Sequence, residues 1–285
     1  MPVIKVITDT DSSLPAAVAA RHHIDQVPIT IQFGDDTYEA CVTINDKQLF
    51  EKIDALGSLP TTAAPSPDAF RSAFAKAFAE GADSIICVTV GSKISRTYDS
   101  ALSAAKDDFP DKLITIVDST YLSLGQGFMA VAAAEALESG ASHQQAVDAA
   151  LALLPRLHLY GSLTTLKYLA MGGRIGQFPA KMANLFDIRP VMTMIDGKLG
   201  LLEKVRTHRA AMNRLVQLLE KSVAGKPILK AGIVHVNNLD DAAILESRLR
   251  EDLPMPDDIL VTEFTPGLSV HGGTGLIAAL LVTAE

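Results

Sequence analysis

Three apolar runs in the first half of this 285-residue chain end in short hydroxyl side chains, a pattern suited to anion chemistry. VIKVITD (3–9) gives way to Thr10, Asp11, Ser12 and Ser13, and ADSIICVTV leads into Gly91, Ser92, Lys93, Ile94 and Ser95. LITIVD is followed by Ser119 and Thr120, with Ser123 and Gly125 just beyond, and the loop LPTTAAPSP adds Thr61 and Thr62. A hydroxyl at a helix start commonly caps it by accepting from a backbone N–H in the first turn. The same hydroxyls, with backbone N–H groups and the positive helix end, can instead hold an anion. Singly, Ser12, Ser66 and Ser142 read as caps, and Asp9 and Asp118 either tie down turns or take part in chemistry. Ligands of open α/β sheets bind beyond the carboxyl ends of the strands. Clustering along one such edge therefore favours an anion seat.

Other chemistries leave weaker marks. No GxxxxGK[ST] occurs, and GGRIGQF lacks the preceding strand and following helix of a dinucleotide loop, so ATP is not an expected ligand. A serine hydrolase could draw on Ser95 and His271, with Asp9 or Asp118 as the orienting acid, but no GxSxG elbow is present. His271 lies between Val270 and Gly272, beside a predicted strand end. Among the seven histidines none pairs at metal-ligand spacing, and Cys41 and Cys87 stand apart from any second ligand, so no metal is expected. Arg174 in MGGRIG and Arg206 in EKVRTHR are cations beside turns, suited to an anion or a partner. The residues alone leave open ordinary capping, a serine nucleophile of the esterase or acyl-hydrolase kind, and a seat for an anion, as in an adaptor that senses a small one.

The elements that must position these groups alternate strand and helix. A helix opened by Ser12 or Ser13 follows the first strand, VPITIQFG and TYEACV read as strands, and TINDKQLFEKIDALG reads as a helix ending at Gly57. Ser66-Pro67 opens another helix with Ser as cap and Pro at the first helical position. Strands separated by helices of 10–15 residues predict βαβ units, a parallel sheet and a Rossmann-like αβα layering. Beyond Leu157 the pattern mixes hairpins with βαβ units, and Asp196-Gly197 supplies a tight turn in RPVMTMIDGKLGLLEKVRT. The expected organisation is an N-terminal αβα domain over 1–157 and a C-terminal mixed-sheet α/β domain over 158–285, packed closely around a shared cleft.

Composition narrows the partners. Hydrophobic residues make up 48% and charged residues 20%, and the net charge of -8 argues against a nucleic-acid surface. No apolar stretch reaches the ~18 residues that span a bilayer, so membrane contact is at most transient. The opening MPVIKVITDTD carries no signal-peptide core, and two lone thiols suit a reducing compartment; the expected location is cytoplasmic.

In order, TDTDSSLP, PTTAAPSP, SKISRTYDSA, VDSTYLSLGQG, LKYLAMGGRIG, RPVMTMIDGKL, EKVRT and SVHGGTG resemble successive signatures of the DegV family over nearly the whole chain. The resemblance implies two α/β domains with a fatty acid between them. It implies a non-catalytic, acyl-carrying subunit that presents a long-chain fatty acid to a separate fatty acid kinase, with no cofactor beyond that ligand. Carboxylate contacts would come from Thr62, Ser95 and His271, with Ala63, Arg96 and Gly272 as head-group neighbours and Arg174 and Arg206 facing the kinase. The chain departs from the family where Ser-Gly-Thr becomes Ser95-Arg96-Thr97 and TSQP becomes Thr62-Ala63-Ala64-Pro65. The first change sets a bulky cation beside the implied carboxylate seat.

Overall fold

The structure, a computed structural model, describes residues 2–173 and 188–285. The chain forms two compact units, one from Met1–Ile44 and Thr62–Pro155, the other from Asn45–Thr61 and Arg156–Glu285.

The first unit is built on a four-stranded parallel sheet. Its strands β1 (Ile4–Asp9), β2 (Ile24–Val27), β6 (Ser84–Thr89) and β7 (Leu113–Asp118) lie in the order β2-β1-β6-β7. Every residue of β6 is buried, as a central strand with both faces covered requires. The helices are α1 (Ala16–Arg21), α3 (Pro67–Ala79), α4 (Thr97–Asp108), α5 (Leu124–Glu138) and α6 (His143–Leu151). Phe70 and Phe74 of α3 pack with Ala101 and Ala104 of α4 against Ile7, Ile85 and Cys87 of the sheet. Helix α5 is buried from Leu124 through Ala134 without a break, so it has no solvent-facing side over this stretch. A small sheet of order β4-β3-β5 adds β3 (Thr30–Phe33), β4 (Asp36–Glu39) and β5 (Thr61–Ala63).

The second unit carries a six-stranded mixed sheet of order β10-β9-β8-β13-β11-β12. Its strands are β8 (Leu157–Ser162), β9 (Arg189–Ile195), β10 (Lys198–Val205), β11 (Ile228–His235), β12 (Ile259–Glu263) and β13 (Ile277–Thr283). Only β11 and β12 pair parallel; the other neighbours run antiparallel. The hairpin between β9 and β10 turns at Asp196 and Gly197, with φ of 50° and 74°, the paired positive angles that the Asp-Gly signal predicts. Helices α8 (His208–Val223) and α9 (Leu239–Asp252) bury Leu215, Leu219, Leu245 and Leu249 against Ile233 and Leu281. The unit also holds α2 (Asp46–Leu56), α7 (Lys167–Met171) and α10 (Pro266–Gly272).

Two expectations need correction. Residues 45–61, expected in the first domain, group with the second unit, in which Asp46 of α2 accepts a buried hydrogen bond from Ser269 of α10. The main change of unit falls at Pro155 and Arg156, close to the boundary expected near Leu157, which starts β8. No α-helix opens at Ser12 or Ser13: Thr10–Ser12 form a single 3-10 turn, and α1 begins at Ala16 after Pro15. Among the described residues no helix is long and apolar enough to cross a membrane.

Two substitutions test this packing. A Cβ on Gly127 of α5 would lie 2.7 Å from the carbonyl oxygen of Ser12, a backbone atom that cannot swing away. We expect Gly127→Ala to lower stability by ~1–3 kcal/mol through overpacking, and Phe74→Ala by ~3–5 kcal/mol through the cavity it leaves. Chemical denaturation measures both, and wild-type stability in either variant would contradict the described packing.

Candidate ligand-binding site

The carboxyl edge of the parallel sheet is organised by Asp9, the last residue of β1, which is fully buried. Its carboxylate accepts from the N–H of Val90 at 2.9 Å, from Gln126 Nε2 at 2.9 Å and from the N–H of Asp11 at 3.0 Å. Gln126 Nε2 also donates to Thr8 Oγ1 at 2.9 Å, and Thr8 donates to the carbonyl of Val88 at 2.7 Å. Burial pushes the Asp9 carboxyl up to about 6, while the N–H donors pull it down. Its charge in turn adds to the burial that raises the Cys87 thiol.

Most hydroxyls along this edge are committed to internal work. Thr10 Oγ1 accepts from Ile29 N–H, Ser12 Oγ accepts from Gln26 Nε2, and Ser123 Oγ donates to Ser13 Oγ. Ser92 donates to Asp118 at 2.5 Å, and Asp118 also accepts the N–H groups of Ser92 and Thr120, lacing together the loops after β6 and β7. Ser119 donates to the carbonyl of Tyr121. Ser66 and Ser142 cap α3 and α6, accepting from Ala69 and Gln145. The edge is rich in serine chiefly because its turns need side-chain partners, and the clustering by itself marks no seat.

Ser95 differs from these. It sits in the turn before α4, half-buried, with its Oγ 2.9 Å from Thr97 Oγ1 and 3.4 Å from the Thr97 N–H. If the buried Thr97 hydroxyl donates, Ser95 accepts twice and its own O–H is left to donate to an anion. Arg96 turns away from this arrangement: its guanidinium side chain is 86% exposed and pairs with Asp99 at 3.4 Å. Thr62 is half-buried in β5 beside the exposed Ala63.

In the second unit, His271 lies on α10, not beside a strand end as the sequence suggested. Thr265 and Pro266 start this short helix, with Pro at its first position, where no N–H is needed. The imidazole packs on the backbone of Gly172, just beyond α7: a Cβ there would lie 2.1 Å from His271 Nδ1. Gly273, at φ 73°, packs on the ring of Tyr168, where a Cβ would come within 2.3 Å. The glycines around the histidine thus provide close approach. Gly272 is buried, Arg206 is exposed just past β10, and Arg174 lies outside the described residues.

Sequence reasoning missed Asp46 and Ser269. Ser269 is fully buried on α10 and donates to Asp46 Oδ2 at 2.7 Å. An Asp in a first helical turn reads as favourable helix-end charge, and nothing local marks this one as buried. It also missed Gln126 and His143. His143 Nδ1 is 2.8 Å from Ser84 Oγ and its Nε2 is 2.8 Å from Thr115 Oγ1. Both ring nitrogens are occupied by hydroxyls, so this serine–histidine contact clasps α6 to two strands and cannot form a triad. Among the described residues no cluster of three His, Cys, Asp or Glu side chains could hold a metal.

Comparison with known proteins places these features. A DegV domain-containing protein of Streptomyces coelicolor is 31% identical over 98% of both chains. A DegV family protein from Thermus thermophilus, described as binding fatty acid, superposes with a TM-score of 0.91 at 28% identity, over 99% of this chain and 100% of that one. DegV of Bacillus subtilis, described as a fatty acid binding protein, gives 0.88 at 25% identity over the whole of both chains. The family model described as "Uncharacterised protein, DegV family" matches residues 3–284, and the chain belongs to the DegV family.

Proposed function

We propose that this protein binds a long-chain fatty acid and presents its carboxylate to a separate fatty acid kinase. The observation that carries the reading is the likeness, over 99% of the chain, to the Thermus thermophilus relative described as binding fatty acid. The carboxylate is received by the hydroxyls of Thr62 and Ser95 and by His271. Support comes from Ser95, whose O–H is left to donate when Thr97 supplies the hydrogen of their contact, and from the glycine-lined setting of His271.

Magnitudes divide the work between tail and head group. A chain of ~14 methylenes at ~0.8 kcal/mol each contributes roughly 11 kcal/mol before ordering costs. Hydrogen bonds to a carboxylate add about 1–3 kcal/mol. The tail supplies affinity, and the hydroxyls and imidazole supply orientation. Hydroxyl donors also leave a carboxylate less tightly held than an Arg clamp, as transfer to a kinase requires. The exposed, Asp99-paired Arg96 fits this division. Arg206, exposed past β10, and Arg174 face the kinase in this reading.

Mass spectrometry of lipid extracted from the recombinant protein is expected to find a C16–C18 acid. The reading fails if no acyl chain is found and delipidated protein binds none on titration. Ser95→Ala and His271→Gln should each weaken binding about tenfold, equivalent to ~1.4 kcal/mol. Gly172→Ala should weaken it by displacing the His271 ring, whereas Arg96→Gly should leave it within about twofold. Turnover of a chromogenic ester, lost in Ser95→Ala, would replace the carrier reading with the hydrolase one; we expect none.

A further inference from the structure

Asp46 is 2% exposed and has no cationic partner in the hydrogen bonds around it. Its Oδ2 accepts from Ser269, while its buried Oδ1 has no hydrogen-bond partner among the described residues. Ser269 is two residues before His271 on α10, and its carbonyl closes the same turn by accepting from the N–H of Gly273 at 2.9 Å. Two helical residues subtend about 200°, so a serine held against α2 directs the His271 side chain to the other side of α10. Apolar side chains could hold α2 on α10 equally well, but a hydrogen bond is directional and fixes the rotation of a helix only seven residues long.

We propose that the Asp46–Ser269 hydrogen bond sets the rotation of α10, making both side chains positioning residues that act through His271 on the carboxylate of the bound acid. This rests on the fatty-acid reading given above. The electrostatics supply a signature that plain packing would lack. Burial pushes the Asp46 carboxyl up to about 7, the Ser269 hydrogen bond pulls it down, and the charge of Glu263 at the end of β12 adds to the rise. The other titratable groups along these elements are His271 on α10 and, on α2, the exposed Lys47 paired with Glu51, the half-buried Lys52 and the exposed Asp54. The folded-state value lies above the unfolded one, so the stabilisation is full below about pH 4 and lost as pH rises through about 7. Ionisation strengthens the Ser269 hydrogen bond itself but places a charge in the buried α2–α10 contact, and that burial makes the contact less stable on the alkaline side.

Calorimetric titration of delipidated protein with palmitate and with hexadecanol, which has the same tail and no carboxylate, tests the proposal at pH 6.5 and 8.5. Ser269→Ala and Asp46→Ala should raise the palmitate Kd about tenfold and change the hexadecanol Kd less than twofold. Asp46→Asn retains an acceptor for Ser269 and does not titrate. It should match wild type at pH 6.5, keep that affinity at pH 8.5 where wild type weakens, and melt above wild type only at the higher pH. Equal effects on both ligands, no effect on either, or an unchanged pH profile in Asp46→Asn would overturn the proposal. Should the alanine variants fail to fold, the Asp46→Asn profile decides. If wild type binds neither ligand, the fatty-acid reading falls by itself, and the ring NMR resonances of His271 judge the positioning. A shift in Ser269→Ala supports it, and unchanged resonances overturn it.

Discussion

A carboxylate placed inside a protein without a cation must be held by N–H donors, and the first unit is arranged around one such group. Asp9 ends β1, takes the N–H of Val90 from the loop after β6, and takes the amide of Gln126 from α5. Three elements distant in sequence are thereby fixed at the strand edge on which Ser95 and the neighbouring turns are built. The cost of burying Asp9 is offset by donors that would themselves be unsatisfied without it. That mutual need explains why α5 enters the core with a glutamine among glycines and alanines.

The same logic governs the serines and threonines. Tight turns at strand ends leave backbone and side-chain donors that need acceptors, and short hydroxyls meet that need at low entropic cost. Ser92, Ser119 and Ser123 are spent in this way. What distinguishes Ser95 is the pairing with Thr97, which can supply the hydrogen and leave the serine's own proton outward. Likewise His271 is distinguished by glycines that let its ring lie directly on backbone.

Much of the fold was legible in the sequence because it rests on local signals. The uninterrupted apolar run of β6, the Ser66-Pro67 helix start and the Asp196-Gly197 hairpin turn each encode their own conformation. The affiliation of α2 was not legible, since its contact with α10 joins Asp46 and Ser269 across 223 residues of sequence. A local reading could not find α10 either: PGLSVHG carries two glycines and a proline, and its helical turn is stabilised by tertiary contacts. Among the candidate residues, the motifs singled out Ser95, Thr62 and His271, but not the contacts that Ser95 makes with Thr97 and His271 with Gly172. A supporting residue is defined by what it touches, and contact is what a linear reading lacks.

The placement of α2 also bears on how the chain is made. The second unit takes Asn45–Thr61 from the first quarter of the sequence and everything else from Arg156 onward. Domains commonly fold in the order of their synthesis, and here that order is interrupted. The first unit can close its parallel sheet once α5 has emerged, but Asp46, buried in the finished protein, must wait for Ser269 of the α10 sequence. During that interval a nascent chain carries α2 without the rest of the unit it groups with. A separately expressed C-terminal fragment would lack the same helix for good.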